Sequence, residues 1–324
     1  MSNPDPHGSP EVTVVVPAYN IAAYIDDCMD SILSQHFTDL ECWVVDDGST
    51  DATAARVQAR TDPRIKLIRQ ANAGVSEARN AGLAQARGRY VMFLDGDDLL
   101  HPQALGRLVA SLDAHPAAAA TFGTLVKILQ DGRLFPGQKA LAHHRYPSGN
   151  VLAQMIEENF LANGGHVLVR TAAARTVGGF DEALRLSEDW EFWCRLAASG
   201  EFVFIGNEPE VFYLRVHQGS AAGMASDWTN HQASLNAVLG NAGLRDRFEA
   251  GAWQRLERRV RASHMWEAGR VNFTKRRFAP ARHLMVRSLL LHPRGKRVAL
   301  FMLAQASQIL NRPLASRLRF ADDD

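Results

Sequence analysis

The sequence predicts an α/β fold: a mixed, mostly parallel sheet flanked by helices, with a C-terminal helical extension. Three observations predict it. Short β-branched runs alternate with segments of helical apolar spacing from Glu11 to Ala114. Three of those runs end in polar clusters, Pro17-Ala18-Tyr19-Asn20, Asp46-Asp47-Gly48-Ser49-Thr50-Asp51 and Asp95-Gly96-Asp97-Asp98. After about Asp227 only helical periodicity remains.

The elements follow in order. Residues 11–17 (EVTVVVP) are β-branched and read as a buried strand. Residues 22–35 carry Ile25, Cys28, Met29, Ile32 and Leu33 at helical spacing. Strands are predicted at 40–45, 65–68 and 90–94, and helices at 51–59, 75–86 and 102–114. Residues 120–129 read as one strand, followed by a turn at Asp131-Gly132. Residues 138–150 are polar and loop-like, 151–160 helical, 166–170 a strand, 188–198 a helix, and 202–205 and 211–216 strands. The tail is helical to the end, with breakers expected at Gly251, Pro280 and Pro293. The division expected is a disordered tail over 1–10, a main α/β domain over 11–226 and a basic helical extension over 227–324.

Composition narrows the class. The 324 residues are 46% hydrophobic and 22% charged, ordinary for a soluble globular protein. Cys28, Cys42 and Cys194 are too scattered for a disulfide framework or a metal cluster and point to a reducing compartment. The first ten residues lack the apolar run of a signal peptide. The late apolar stretch at 298–310 is interrupted by Gln305, Ser307 and Gln308, and is shorter than the ~20 residues a span needs. A cytoplasmic location follows as the expectation, peripheral on the inner face of the membrane if the tail binds lipid.

In a doubly wound sheet, ligands bind outside the carboxyl ends of the strands. The three polar strand ends therefore share one edge. Asp95 and Asp97, at i and i+2, point the same way on extended chain and repel unless a cation lies between them. Hard cations such as Mg²⁺ or Mn²⁺ take such carboxylates together with substrate phosphates. The bland alternative is an Asp-rich turn that caps the following helix. Asp46 or Asp47 can accept the N–H of a uracil-like base, while Ser49 and Asp51 suit a helix cap. Tyr19 can stack on a base. Gly74 fits a tight turn before a helix whose Arg79 can reach a phosphate or the acidic cluster. In Glu188-Asp189-Trp190-Glu191-Phe192-Trp193 the acids suit a first helical turn, yet a carboxylate beside Trp190 and Trp193 can also serve as a general base. Arg215-Val216-His217-Gln218-Gly219-Ser220 ends a strand with basic and hydroxyl groups suited to a phosphate or metal.

Taken in order, PAYN, DDGSTD, NAGVSEARNAG, LDGDD, GGFDE, SEDWEFW and RVHQGS resemble the family 2 glycosyltransferases. The resemblance runs from about Val12 to Ser220 and implies the GT-A fold, a Rossmann-like sheet. It implies an inverting transferase that moves a sugar from a nucleotide-sugar, by family habit a UDP-sugar, to a hydroxyl of a glycan or lipid-linked acceptor. Cell-surface polysaccharide or glycoconjugate synthesis is the implied setting. Pro17 and Tyr19 would line the nucleotide pocket, with Gly74 and Gly96 shaping it. Asp47 would contact the base, with Asp46 as second choice. Arg79 would lie near nucleotide and acids. Asp95 would support the ribose and metal region, and Asp97 would ligate Mn²⁺ or Mg²⁺. Asp189 would be the general base with Glu188 its rival, and His217 and Ser220 would sit near the leaving diphosphate, His217 within reach of the metal.

Rival readings are weaker. A nucleotidyltransferase needs a Gly-rich phosphate loop after the first strand, where PAYN stands; a P-loop would need GxxxxGK[ST], which does not occur. A non-catalytic binding module would lack the DxD or the base. The net charge of +1 hides an asymmetry: between Gly251 and Phe320 fourteen Arg and two Lys face only Glu257 and Glu267. Basic amphipathic helices fit an anionic membrane surface, a partner subunit, or a solvated extension. Nucleic acid is disfavoured because few aromatics lie among the arginines.

Overall fold

The computed structural model describes residues 8–136, 146–161, 163–207, 209–217 and 228–309. The chain forms two units, Met1–Ala221 and Ala222–Asp324.

In the first unit, strand β1 (Val12–Ala18) is buried at every position. It lies between β2 (Leu40–Asp47) and β4 (Tyr90–Phe93), both parallel to it, and β3 (Ile65–Gln70) runs parallel outside β2. A strand covered on both faces must be apolar throughout, which is why VTVVVPA shows no alternation. Beyond β4 the direction changes. β8 (Val167–Arg170) is antiparallel to β4 and to β6 (Ala118–Phe122), and β9 (Glu201–Phe204) is parallel to β6. The order is β3-β2-β1-β4-β8-β6-β9.

Alternation across the strands assigns the two faces. Val14, Val16, Met92 and Leu94 pack with Ile25, Cys28, Met29 and Ile32 of α1 (Ile25–Leu33) and with Leu105, Leu108 and Leu112 of α4 (Ala104–Ala114). Val15 points the other way, onto α3 (Val75–Gln85). The approach is close: a Cβ at Gly82 would lie 2.2 Å from Val15 Cγ1, so only glycine lets α3 sit there. That seating carries Arg79, one turn earlier, to the carboxyl end of the sheet. On the same face, Phe93 meets Phe180 and Phe192 of α7 (Glu188–Ser199) edge-on, with ring centroids 4.8 and 5.9 Å apart.

A second sheet has three strands, β5 (Leu99–Leu100), β10 (Phe212–Val216) and β7 (Leu125–Leu129), with β10 in the middle. β10 pairs antiparallel with β5, the two residues directly after the Asp95–Asp98 turn. This pairing brings the end of β10 back to that turn.

The structure departs from the sequence expectations at definite places. Residues 120–129 are not one strand. β6 ends at Phe122, and β7 starts at Leu125 in the other sheet. At the break, Gly123 N donates to His166 O, and a Cβ on Gly123 would lie 2.7 Å from Val211 Cγ2. β5 and the short helix α6 (Thr171–Thr176) were not foreseen. Two further short helices, α2 (Thr53–Gln58) and α5 (Leu152–Glu157), complete the first unit. Most of the expected 138–150 loop, and Ser220, lie outside the described residues.

The second unit is helical: α8 (Trp228–Gly240), α9 (Ala242–Arg245), α10 (Ala250–Thr274), α11 (Phe278–Leu291) and α12 (Gly295–Ile309). Gly251 does not break a helix; it lies in the first turn of α10, where backbone N–H groups have no helical partner anyway. Pro280 sits in the first turn of α11 for the same reason, and Pro293 falls between α11 and α12. α10 and α11 pack through small residues. Ser288 Oγ donates to Ala262 O at 2.6 Å, and a Cβ on Gly269 would lie 2.8 Å from Met285 Cγ. Among the described residues no helix is long and apolar enough to cross a membrane.

Candidate active site

Because β1, β2 and β4 are parallel and adjacent, their carboxyl ends deliver the three polar clusters to one edge. The first two are laced together. Asn20, held at φ 53°, accepts from Thr50 N at 2.8 Å, and its own N–H donates to Ser49 Oγ at 3.0 Å. Asparagine tolerates that left-handed backbone better than most residues. Pro17 is buried in β1, paired in register with Val45, while Tyr19 beyond the strand end is 49% exposed.

Asp46 and Asp47 are both buried but face different partners. Asp46 accepts from Ser49 N and pairs with Arg69 Nε, each at 3.2 Å. Asp47 gathers the loop before α3: Oδ1 accepts from Gln70 Nε2 and Ala73 N at 2.9 Å, and Oδ2 from Gly74 N at 2.8 Å. A carboxylate has about four acceptor positions, so one remains. Gly74 caps α3 at φ 103°, and Gly48 turns at φ 75° against Asn72. Gly96 packs under Ile21 and Val16.

Arg79 joins two distant acids. One terminal nitrogen donates to Asp95 Oδ1 at 2.8 Å and the other to Glu188 Oε1 at 2.9 Å. Burial opposes its charge, but the charges of Asp95 and Glu188 outweigh burial and hold the guanidinium above its ordinary pKa. The third strand end thus meets the start of α7. There Ser187 adopts φ 58°, a strained conformation for serine, directly before Glu188 and Asp189.

Asp97 Oδ2 lies 2.7 Å from His217 Nε2. Burial first, then the charge of Asp95, raises the Asp97 carboxyl, with His217 opposing. Asp98 is buried and accepts from Arg215 N at 2.7 Å and from Asn163 Nδ2 at 3.0 Å. Arg215 spans the region: Nε donates to Asp97 O at 2.9 Å, and its terminal nitrogens donate to Gln130 O at 2.7 Å and Asp27 Oδ2 at 3.0 Å. Its guanidinium lies 5.2 Å from the Tyr24 ring, which in turn packs 4.9 Å from His217. A cleft lined by Leu129, Gln130, Asp131, Val216 and His217 opens here.

Asp189 is held at both oxygens, accepting from Asn159 Nδ2 at 3.1 Å and Trp190 N at 2.7 Å. Burial pushes its carboxyl up to about 7, and the neighbouring Glu188 charge adds to the rise. Trp190 and Trp193 are fully buried behind it, Trp190 Nε1 donating to Met155 O at 2.7 Å.

The family model of glycosyl transferase family 2 matches residues 13–181, from β1 to just before α7. The chain belongs to this family. The succinoglycan biosynthesis protein ExoO of Rhizobium meliloti is 36% identical over 220 residues, 65% of this chain and 62% of that protein. The chain therefore spans less than two thirds of that relative's length. Among solved structures, S. aureus TarS 1-349 in complex with UDP aligns at a TM-score of 0.62 and 19% identity, covering 97% of this chain and 94% of that one. Mannosyltransferase PcManGT from Pyrobaculum calidifontis, in complex with GDP-Man and Mn²⁺, aligns at 0.60 and 21%, covering 97% and 85%. The fold is that of the GT-A glycosyltransferases.

In this family 2 chain the residues present fit a divalent cation in part. Asp95 and Asp97 offer hard oxygens on one turn, and His217 adds an imidazole against Asp97. Burial raises the Asp97 carboxyl first and the Asp95 charge second, and a cation would offset the second. Among the described residues no three His, Cys, Asp or Glu side chains are grouped so that together they could hold a metal ion. A partial shell is what Mg²⁺ and Mn²⁺ sites completed by substrate phosphates require.

Arg215, Asn159, Asn163 and Tyr24 were not singled out in the sequence. Arg215 stands inside the quoted RVHQGS motif, but nothing in the pattern says that its side chain turns back into the Asp97 turn. Asn159 falls at the end of the segment read as helical and Asn163 just beyond it, and only the folded chain puts them on Asp189 and Asp98.

Proposed function

We propose that this chain is a metal-dependent, inverting glycosyltransferase acting on a nucleotide-sugar, a UDP-sugar by preference. It transfers the sugar to a hydroxyl of a glycan or lipid-linked acceptor in cell-surface polysaccharide or glycoconjugate synthesis. Family membership supports the reaction class. The observation that carries the finer reading is the arrangement around Arg79: one guanidinium holds Asp95, the first acid of the DxD, and Glu188, beside Asp189.

The roles follow from the environments. Tyr19 is exposed at the strand end and stacks on the base, while Asp47 keeps one acceptor position for a base N–H. Asp46 is closed off by Ser49 and Arg69 and serves the loop. Asp97, Asp95 and His217 would hold Mn²⁺ or Mg²⁺, and a cation bound there would supply positive charge against the nucleoside diphosphate. Ser220, outside the described residues, is assigned to the same diphosphate by the family resemblance alone. TarS with UDP and PcManGT with GDP-Man and Mn²⁺ support a nucleotide-sugar and a metal here by likeness of fold.

Asp189 takes the proton from the acceptor hydroxyl as that oxygen attacks the anomeric carbon. A base with a pKa near 7 is matched to neutral pH. Glu188 is tied to Arg79 and so is the poorer base. Direct displacement with one base inverts the anomeric centre, whereas retention by double displacement needs a second carboxylate as nucleophile.

The test follows product stereochemistry by NMR with an α-linked donor. A β-linked product, lost in Asp189→Asn while nucleoside diphosphate binding persists, supports the reading. An α-linked product would overturn the inverting mechanism.

A further inference from the structure

We propose that α11 and α12 form a docking surface for an anionic lipid bilayer. Both helices belong to the second unit, and the surface is independent of the proposed activity.

α11 carries a buried, mostly apolar face and an exposed face that mixes aliphatic and basic side chains. Ala281, Leu284, Met285 and Ser288, at i, i+3, i+4 and i+7, are buried. His283, Val286, Arg287 and Leu290, at i, i+3, i+4 and i+7 on another face, are exposed. Leu290 is 80% exposed, and Met302 on α12 is 63% exposed. Of the nine large hydrophobics exposed among the described residues, five (Val286, Leu290, Leu291, Val298, Met302) fall in these two helices. Scattered single hydrophobics on a surface need no explanation; a concentration on consecutive helices does.

The charge around them has one sign. Arg276, Arg277, Arg282 and Arg287 are exposed, and no Asp or Glu occurs from Ala268 to Phe320. The only two acids of the preceding helix are already paired, Glu257 with Arg261 and Glu267 with Arg270. Large aliphatic side chains between arginines, with no acids, match a bilayer interface, where the aliphatic groups enter the acyl boundary and the guanidinium groups meet lipid phosphates. A polyanion in water would use the arginines but leave Leu290 and Met302 in solvent. The contact proposed is on the surface of the bilayer; among the described residues no helix is long and apolar enough to cross it.

The test is co-sedimentation of the full chain with vesicles of phosphatidylcholine alone and with about one third phosphatidylglycerol. Three proteins are compared: wild type, Arg282→Gln/Arg287→Gln, and Leu290→Ser/Met302→Ser. All four side chains are exposed, so circular dichroism and melting should be unchanged. Wild type pellets with the anionic vesicles and not the neutral ones. The arginine pair loses about thirty-fold in affinity, and the aliphatic pair at least ten-fold. Equal pelleting of wild type and both variants would overturn the proposal. So would heparin binding of wild type that the arginine pair weakens, together with vesicle binding that the aliphatic pair leaves intact; the surface would then be a site for soluble polyanions.

Discussion

Asp97 and His217 stand 120 positions apart in the chain, and the Asp97 carboxylate lies 2.7 Å from the His217 imidazole. The contact is made by topology. β5 directly follows the Asp95–Asp98 turn and pairs antiparallel with β10, whose end carries His217. Arg215, two residues earlier, fixes the same turn through Asp97 O and, by its own N–H, Asp98.

If these groups hold the metal and diphosphate, removing them has graded effects. Asp97→Asn lowers donor turnover by about 10²–10³, the loss usual for a group that stabilises developing charge. His217→Ala leaves activity at saturating Mn²⁺ but raises the Mn²⁺ needed for half-maximal turnover by about 10–100-fold. Metal titrations of nucleoside diphosphate release check both.

The Asp189 carboxyl, pushed up to about 7, sets the pH dependence. Turnover falls as pH drops below about 7, because the base must be ionised. Asp189→Asn lowers kcat by about 10²–10⁴ and removes that acid limb. Stability runs in the opposite sense. A carboxyl whose folded pKa lies above its unfolded value of 3.8 costs stability as pH rises through 7. The variant should therefore melt higher than wild type at pH 8, and the gain should vanish below about pH 4. Melting curves at the two pH values read this directly.

Arg79 is buried between Asp95 and Glu188, so Arg79→Met leaves two carboxylates facing each other without a cation. A cost of about 2–3 kcal/mol at pH 7 is expected, below the ~3–5 for a fully buried pair because Asp95 keeps 30% exposure. Urea unfolding should show the deficit shrinking in acid, as the carboxylates become protonated.

Gly48 turns at φ 75°, and a Cβ there would lie 2.8 Å from Asn72 N. Gly48→Ala should cost about 1–2 kcal/mol in chemical denaturation. It should also weaken nucleoside diphosphate binding, since the loop it displaces is the one Asp47 gathers.

Strands β1, β2 and β4 were legible because a buried parallel strand writes itself as a largely apolar run, and the polar strand ends stand out against it. Strand direction is not written that way, so the antiparallel β8 could be expected only as part of a mixed sheet. The split between β6 and β7 was hidden for a related reason. Both are apolar, and Gly123, where the chain changes sheets, looks like any glycine within a strand. β5 has two residues and owes its existence to pairing with β10. At the site, residue types with obvious chemistry were legible, but their partners were not. Nothing local links Arg79 to Glu188 across 109 positions, or Asn159 to Asp189 across 30.

The most direct measurement is turnover of a panel of nucleotide-sugars by the purified chain, with Mn²⁺ or EDTA, beside Asp97→Ala. A transferase of the kind proposed turns over one donor, with metal only, and Asp97→Ala does not. Turnover undiminished by EDTA or by Asp97→Ala would contradict the metal–diphosphate site, and absence of both turnover and nucleoside diphosphate binding with metal present would contradict the enzyme itself.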